Sequence, residues 1–164
     1  MARKQSIREL VKQPIHFLSF GFGSGLAPKA PGTFGTLPGI VLVWLFASLD
    51  VAAYIGVVAF VTIIGVYLCG ATAKAMGEHD SSHIVWDEIA GYMIAMIAIP
   101  VSWQALLLAF VLFRIFDILK PWPIRWLDKH VDGGFGIMID DVLAGFFALV
   151  LMHIALALGW IPLY

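Results

Sequence analysis

Four apolar runs, separated by short stretches rich in charge, glycine or proline, set the plan of this chain. Leu37 to Leu49 is the shortest. Val51 to Ala73 is long and free of charge, Ile89 to Phe113 is charge-free but carries Pro100, and Val142 to Leu158 continues apolar to Trp160. A helix needs roughly twenty apolar residues to cross the hydrocarbon core, so the second and fourth runs predict full spans. The first is too short to cross straight and predicts a half-span, a tilted helix or one arm of a helical hairpin. The third predicts either one kinked helix or two short helices turning at Pro100-Val101-Ser102.

The distribution of charge decides between those two. A single span would place Asp87 and Glu88 on the face opposite Arg114, Asp117 and Lys120. A hairpin gathers them, so that opposite charges pair in one polar pocket. With the hairpin, all ten Lys and Arg residues and ten of the eleven acids fall on one side, and only Asp50 on the other. By the positive-inside rule that side is cytoplasmic.

Composition agrees. With 61% hydrophobic and 13% charged residues over 164 positions, and a mean hydropathy of +0.93, the chain belongs to the integral-membrane class. The expected fold is all-α: one polytopic helical bundle spanning residues 1–164, with about five apolar helices or half-helices and four to five spans. The polar site is expected on the cytoplasmic face, and residues 1–20 as a cytoplasmic amphipathic segment. Within it, Ser6 to Gln13 reads as a short helix whose bases favour anionic headgroups by about 1 kcal/mol each, and equally as an ordinary cytoplasmic tail obeying the positive-inside rule. Pro14, His16 and the glycines after Phe20 interrupt any signal-peptide core. A net charge of −1 excludes a nucleic-acid partner. Cys69 is alone in an apolar run, which excludes a disulfide or thiolate–metal framework.

The charged stretches form three clusters. The first, Gly21 to Thr36, holds Gly23, Gly25, Gly32 and Gly35, which permit backbone shapes whose N–H groups converge on an anion. Lys29 adds positive charge, and Thr33 and Thr36 add hydroxyls near a helix start, where the dipole favours phosphate. A turn-rich entry to the membrane explains the same residues equally well.

The second cluster runs from Glu78 to Glu88. Asp87 and Glu88 lead directly into an apolar run, where acids complement the helix dipole and also suit Mg²⁺, a cation of oxygen ligands. His79, His83 and Asp87 carry zinc-like helical spacing, but Ser81-Ser82 argues against a helix there. The third cluster sets Arg114, Asp117 and Lys120 three apart, on one face at the end of a helix, before Pro121 and Pro123 stop it. Further on, Asp140 and Asp141 are expected to begin the last apolar helix, with Gly145 allowing close helix approach. Two acidic pairs plus Asp117 on one membrane face predict a metal site. His153 reads as a packing or hydrogen-bonded histidine away from the chemistry.

Three motifs together carry a resemblance. Gly-Ser-Gly-Leu-Ala-Pro-Lys-Ala-Pro-Gly-Thr (23–33), Ile-Val-Trp-Asp-Glu (84–88), and Phe-Arg-Ile-Phe-Asp-Ile-Leu-Lys-Pro-Trp-Pro-Ile (113–124) followed by Gly-Ile-Met-Ile-Asp-Asp (136–141) resemble the phosphatidylglycerophosphatase A family from about His16 to Gly145. The resemblance implies a Mg²⁺-dependent lipid phosphatase of the bacterial inner membrane, with its active site facing the cytoplasm. Such an enzyme converts phosphatidylglycerophosphate to phosphatidylglycerol and inorganic phosphate in phospholipid synthesis. On that footing Asp87, Glu88, Asp117, Asp140 and Asp141 are expected to hold Mg²⁺ or prepare the nucleophile. Lys29, Thr33, Thr36, Arg114, Lys120 and Arg125 are expected to bind phosphate, with His79 and Asp80 behind them. The competing class is a small transporter or ion pathway using the same charges, which should place them near mid-bilayer and open to both faces.

Overall fold

The computed structural model describes residues 6–78 and 81–162. It is an all-helical bundle: α1 (Ile7–Leu10), α2 (Pro14–Ser19), α3 (Pro31–Leu45), α4 (Val51–Met76), α5 (Trp86–Ala95), α6 (Trp103–Leu119), α7 (Ile124–His130) and α8 (Gly133–Ala157). A 3₁₀ segment, Gly21–Leu26, joins α2 to the loop before α3. Helices α4 and α8 are long and apolar enough to cross a membrane. The chain is a membrane helical bundle.

The third apolar run is two helices. Alpha-5 stops at Ala95 and α6 starts at Trp103, where the Ser102 hydroxyl caps the helix by accepting from the Ala105 amide. At ten residues, α5 is about 15 Å long and buried along almost its entire length. It packs against α3, α4, α6 and α8. A helix hydrophobic on every side belongs inside a bundle, and this one forms its centre. Around it, apolar side chains such as Trp44, Phe60, Ile63, Leu107 and Val150 lie exposed on α3, α4, α6 and α8, making an outer surface that hydrocarbon solvates.

Small residues set the helix crossings. A side chain at Gly145 would run into the Gly91 carbonyl, and one at Gly134 into the Val66 carbonyl. Alpha-8 therefore lies backbone to backbone on α5 and α4, as expected at Gly145. Asp50, the lone acid at the far end, caps α4 by accepting from the Ala53 amide at 2.9 Å, which explains it without chemistry.

Several boundaries differ from expectation. Alpha-1 covers only part of Ser6–Gln13; its Leu10 is fully buried with Phe20 and Met76, docking the segment on the end of α4. Alpha-3 starts at Pro31 rather than Leu37, because Pro31 suits a first helical turn. Alpha-8 starts at Gly133, so Asp140 and Asp141 sit two turns inside it rather than at its start. His153 is exposed rather than packed.

Candidate active site

The clustered charges meet at one end of the bundle. Asp87 and Glu88 lie in the first turn of α5. Arg114 and Asp117 lie near the end of α6, one turn apart, and Asp140 and Asp141 come from α8. A cleft of about 300 Å³ opens among them, bordered also by Ala30, Gly32, Ser82, Lys120 and Asp128.

Two cations organise the acids. Arg114 Nη1 donates to Glu88 Oε1 at 3.2 Å and, by a shorter contact, to Asp117 Oδ2. The first of these bonds requires the turn at Pro100, since only antiparallel α5 and α6 bring the two residues together. Lys120 Nζ donates to Asp140 Oδ2 at 2.5 Å and to Asp128 Oδ1 at 2.6 Å. Burial alone would lower the Lys120 ammonium, but Asp140 and Asp128 outweigh it and hold the group above its ordinary value of 10.5. Lys120 does not continue the Arg114–Asp117 face. It sits at the helix C-terminus with φ 44°, a left-handed conformation that favours glycine. A lysine there carries strain, which the two ion pairs offset.

Asp141 is the most enclosed acid, 3% exposed. Its carboxylate feels the charges of Asp117, Asp87, Asp140 and Glu88. In all, six carboxylates and two cations line the cleft, an excess of four negative charges if all are ionised. Asp140 Oδ1 is buried with no hydrogen-bond partner among the described residues. Oxygen-only donors with uncompensated negative charge fit a hard divalent cation such as Mg²⁺. Among the described residues no three acidic, histidine or cysteine groups close up as a ready ligand cluster.

The expected site residues divide. Asp87, Glu88, Arg114, Asp117, Lys120, Asp140 and Asp141 all line the cleft. Lys29 and Arg125 are exposed outside its lining, and Thr33 lies one residue beyond it. Thr36 is fully buried and donates to the Gly32 carbonyl at 2.9 Å, so its hydroxyl serves the helix. His79 and Asp80 lie outside the described residues. The zinc-like spacing does not form: His83 precedes α5, in a loop, and its Nδ1 lies 2.8 Å from the Gly25 carbonyl.

The first cluster's glycines have another use than an anion loop. A side chain at Gly32 or Gly35 would collide with the Glu88 carboxylate. Their absence of bulk lets α3 close over the Glu88–Arg114 pair. Asp128 is the residue that the sequence did not single out. Eight positions and two prolines separate it from Lys120, so no helical spacing announces the pair.

The far end of the bundle holds a second cavity of about 240 Å³, lined by apolar residues and Tyr54. A transporter's charges should reach both faces; here they end at one. The family profile of Phosphatidylglycerophosphatase A matches residues 17–156. The chain belongs to the phosphatidylglycerophosphatase A family. It is 52% identical to Phosphatidylglycerophosphatase A of Haemophilus influenzae over 141 residues, covering 85% of this chain and 86% of that one. It is also 52% identical to Phosphatidylglycerophosphatase A of Escherichia coli over 136 residues, 82% and 79% of the two chains. A Bacteroides thetaiotaomicron protein provisionally named phosphatidylinositol-3-phosphatase is 38% identical over 143 residues, 82% of this chain and 89% of that one. No solved structure matches. As a member of that family, the chain is a hydrolase of phosphoric monoesters.

Proposed function

We propose that the cleft hydrolyses the terminal phosphomonoester of phosphatidylglycerophosphate, releasing phosphatidylglycerol and inorganic phosphate, in a Mg²⁺-dependent step of phospholipid synthesis. The substrate reaches the site from the cytoplasmic leaflet of the bacterial inner membrane, which the one-sided Lys and Arg residues favour. The observation that carries this reading is Asp141, an enclosed carboxylate among four other acids. A divalent cation would compensate the acids that Arg114 and Lys120 leave unbalanced, and a phosphate dianion entering the same cleft adds to that need.

Phosphoryl transfer rests on positioning and charge stabilisation. Arg114, already fixed between Glu88 and Asp117, presents its guanidinium to the cleft as a preorganised phosphate donor. Lys120 has three protons; two go to Asp128 and Asp140, and the third is available to a phosphate oxygen among the described residues. Asp87, Asp117, Asp140 and Asp141 would hold Mg²⁺, with Glu88 orienting Arg114. Bound there, the cation supplies charge neutralisation at the transferring phosphoryl group. Either a carboxylate or a water oriented by one of them attacks phosphorus as the P–O bond to the glycerol oxygen breaks; a carboxylate accepts the water's proton, and the leaving oxygen takes up a proton to give the alcohol of phosphatidylglycerol.

The test is phosphate release from phosphatidylglycerophosphate by purified protein with and without Mg²⁺. Turnover should depend on the ion and fall by about 100-fold or more when charge in the cleft is removed by Asp117→Asn with Asp141→Asn. No turnover by the wild-type protein, or turnover indifferent to both substitutions, overturns the reading.

A further inference from the structure

The cleft's outer wall carries an exposed aromatic surface that the chemistry leaves unused. Trp122 is 82% exposed and Trp126 is 53% exposed. Trp126 is on the short helix α7, which sends Asp128 inward to Lys120 at the cleft, and Trp122 lies in the turn just before that helix. Pro121 and Pro123 restrict the backbone on either side of Trp122, and Trp126 stacks on His130 with ring centroids 4.7 Å apart. Two large apolar rings exposed four positions apart at the edge of a charged cleft point to a surface with a partner.

Two observations say what that partner is. In sequence the tryptophans follow closely on the exposed apolar end of α6, Ile115, Ile118 and Leu119, a helix whose exposed side chains hydrocarbon covers further along. The tryptophan pair is also bordered by the exposed bases Arg125 and Lys129, which suit anionic headgroups. Tryptophan with flanking bases at the end of an apolar helix is the composition of a membrane–water interface.

We propose that Trp122 and Trp126 seat α7 in the lipid headgroup layer, as a docking surface that holds the mouth of the cleft at the level of the substrate's phosphates. The occupant is the bilayer surface itself, with anionic lipid favoured. Alpha-7 then lies flat in the interface: Ile124 is buried in the bundle, Asp128 faces the cleft, and the two tryptophans face lipid.

The kinetic arm of the test rests on the phosphatase reading; a second arm does not. In vesicles of phosphatidylethanolamine and phosphatidylglycerol, Trp122→Ala with Trp126→Ala should raise KM for vesicle-borne phosphatidylglycerophosphate by about tenfold, while a short-chain soluble analogue keeps its KM within about twofold. Equal loss on both substrates, or no loss on either, overturns the docking surface. No turnover of either by the wild-type protein overturns the phosphatase reading instead. The second arm labels Trp122→Cys with an environment-sensitive fluorophore, which is selective because Cys69 is buried. Spin-labelled lipid should quench the label and aqueous iodide should not. Iodide quenching without lipid quenching overturns the proposal, whatever the kinetics.

Discussion

Arg114 Nη1 donates to Glu88 Oε1 at 3.2 Å, joining the end of α6 to the start of α5 across 26 residues of chain. Both side chains are nearly enclosed, 14% and 12% exposed. Arg114→Met would leave Glu88 and Asp117 without their shared cation. We expect a loss on the order of 3 kcal/mol of stability and a fall of about 100-fold or more in phosphate release. Thermal unfolding in detergent and the phosphatase assay check the two effects. Glu88→Gln should retain more stability than Arg114→Met, because it removes one acid rather than the cation serving two.

Gly145 should tolerate no side chain. Its added Cβ would meet the Gly91 carbonyl, and neither backbone can retreat without separating α5 from α8. Gly145→Ala is expected to destabilise by about 1–3 kcal/mol and to lower turnover, because Asp87 and Asp141 ride on those two helices. Gly56, inside α4 with nothing within 4 Å, is the control: Gly56→Ala should leave activity unchanged and should not lower the melting temperature.

Lys120 offers a separation of backbone from charge. Lys120→Gly relieves the left-handed strain at φ 44° but removes the ammonium, whereas Lys120→Met removes the ammonium and keeps the strain. Lys120→Gly should therefore be the more stable of the two by about 1 kcal/mol, with both nearly inactive. The pH dependence has a definite sign. The folded ammonium titrates above its unfolded value, so its contribution is full below about 10.4 and is lost only as pH rises further through the folded value. The difference between wild-type and Lys120→Met stabilities should shrink as pH rises above about 10.4.

His16 works in the opposite direction. Thr72 Oγ1 donates its one proton to the Leu68 carbonyl at 2.8 Å, so the 2.8 Å contact between His16 Nδ1 and Thr72 Oγ1 has the imidazole as donor. Burial lowers the His16 pKa below 6.5, because the charged ring is poorly solvated there. The neutral ring's contribution is present above pH 6.5 and lost as pH falls through the folded value. Melting temperature should drop on acidification below 6.5, and His16→Gln should flatten that drop. An unchanged acid limb in the variant would assign it to other groups.

The sequence announced these features unevenly. Charge segregation was enough to find the hairpin, because Asp87, Glu88, Arg114 and Asp117 can pair in only one of its two foldings. It also found seven of the cleft's charged side chains. What it missed was set by packing and by local backbone. Thr36 looked like a phosphate donor, yet a hydroxyl inside a helix finds the carbonyl one turn back. Asp140 and Asp141 looked like a helix start, because hydropathy registers where charge ends and apolar sequence begins; the glycines of 133–136 had already begun the helix. The glycines at 32 and 35 looked like an anion loop because a sequence does not reveal what approaches a missing side chain. Asp128 had no periodic relation to Lys120 by which to be found.

The enclosure of α5 has a mechanical consequence. Helices that touch lipid must tilt or shift when bilayer thickness changes. Alpha-5 has protein on every side, so Asp87 and Glu88 are carried by an element shielded from that strain. Asp117, Asp140 and Asp141 ride on the lipid-facing helices α6 and α8, so a change in acyl-chain length should reach the cleft through those acids while Asp87 and Glu88 stay still.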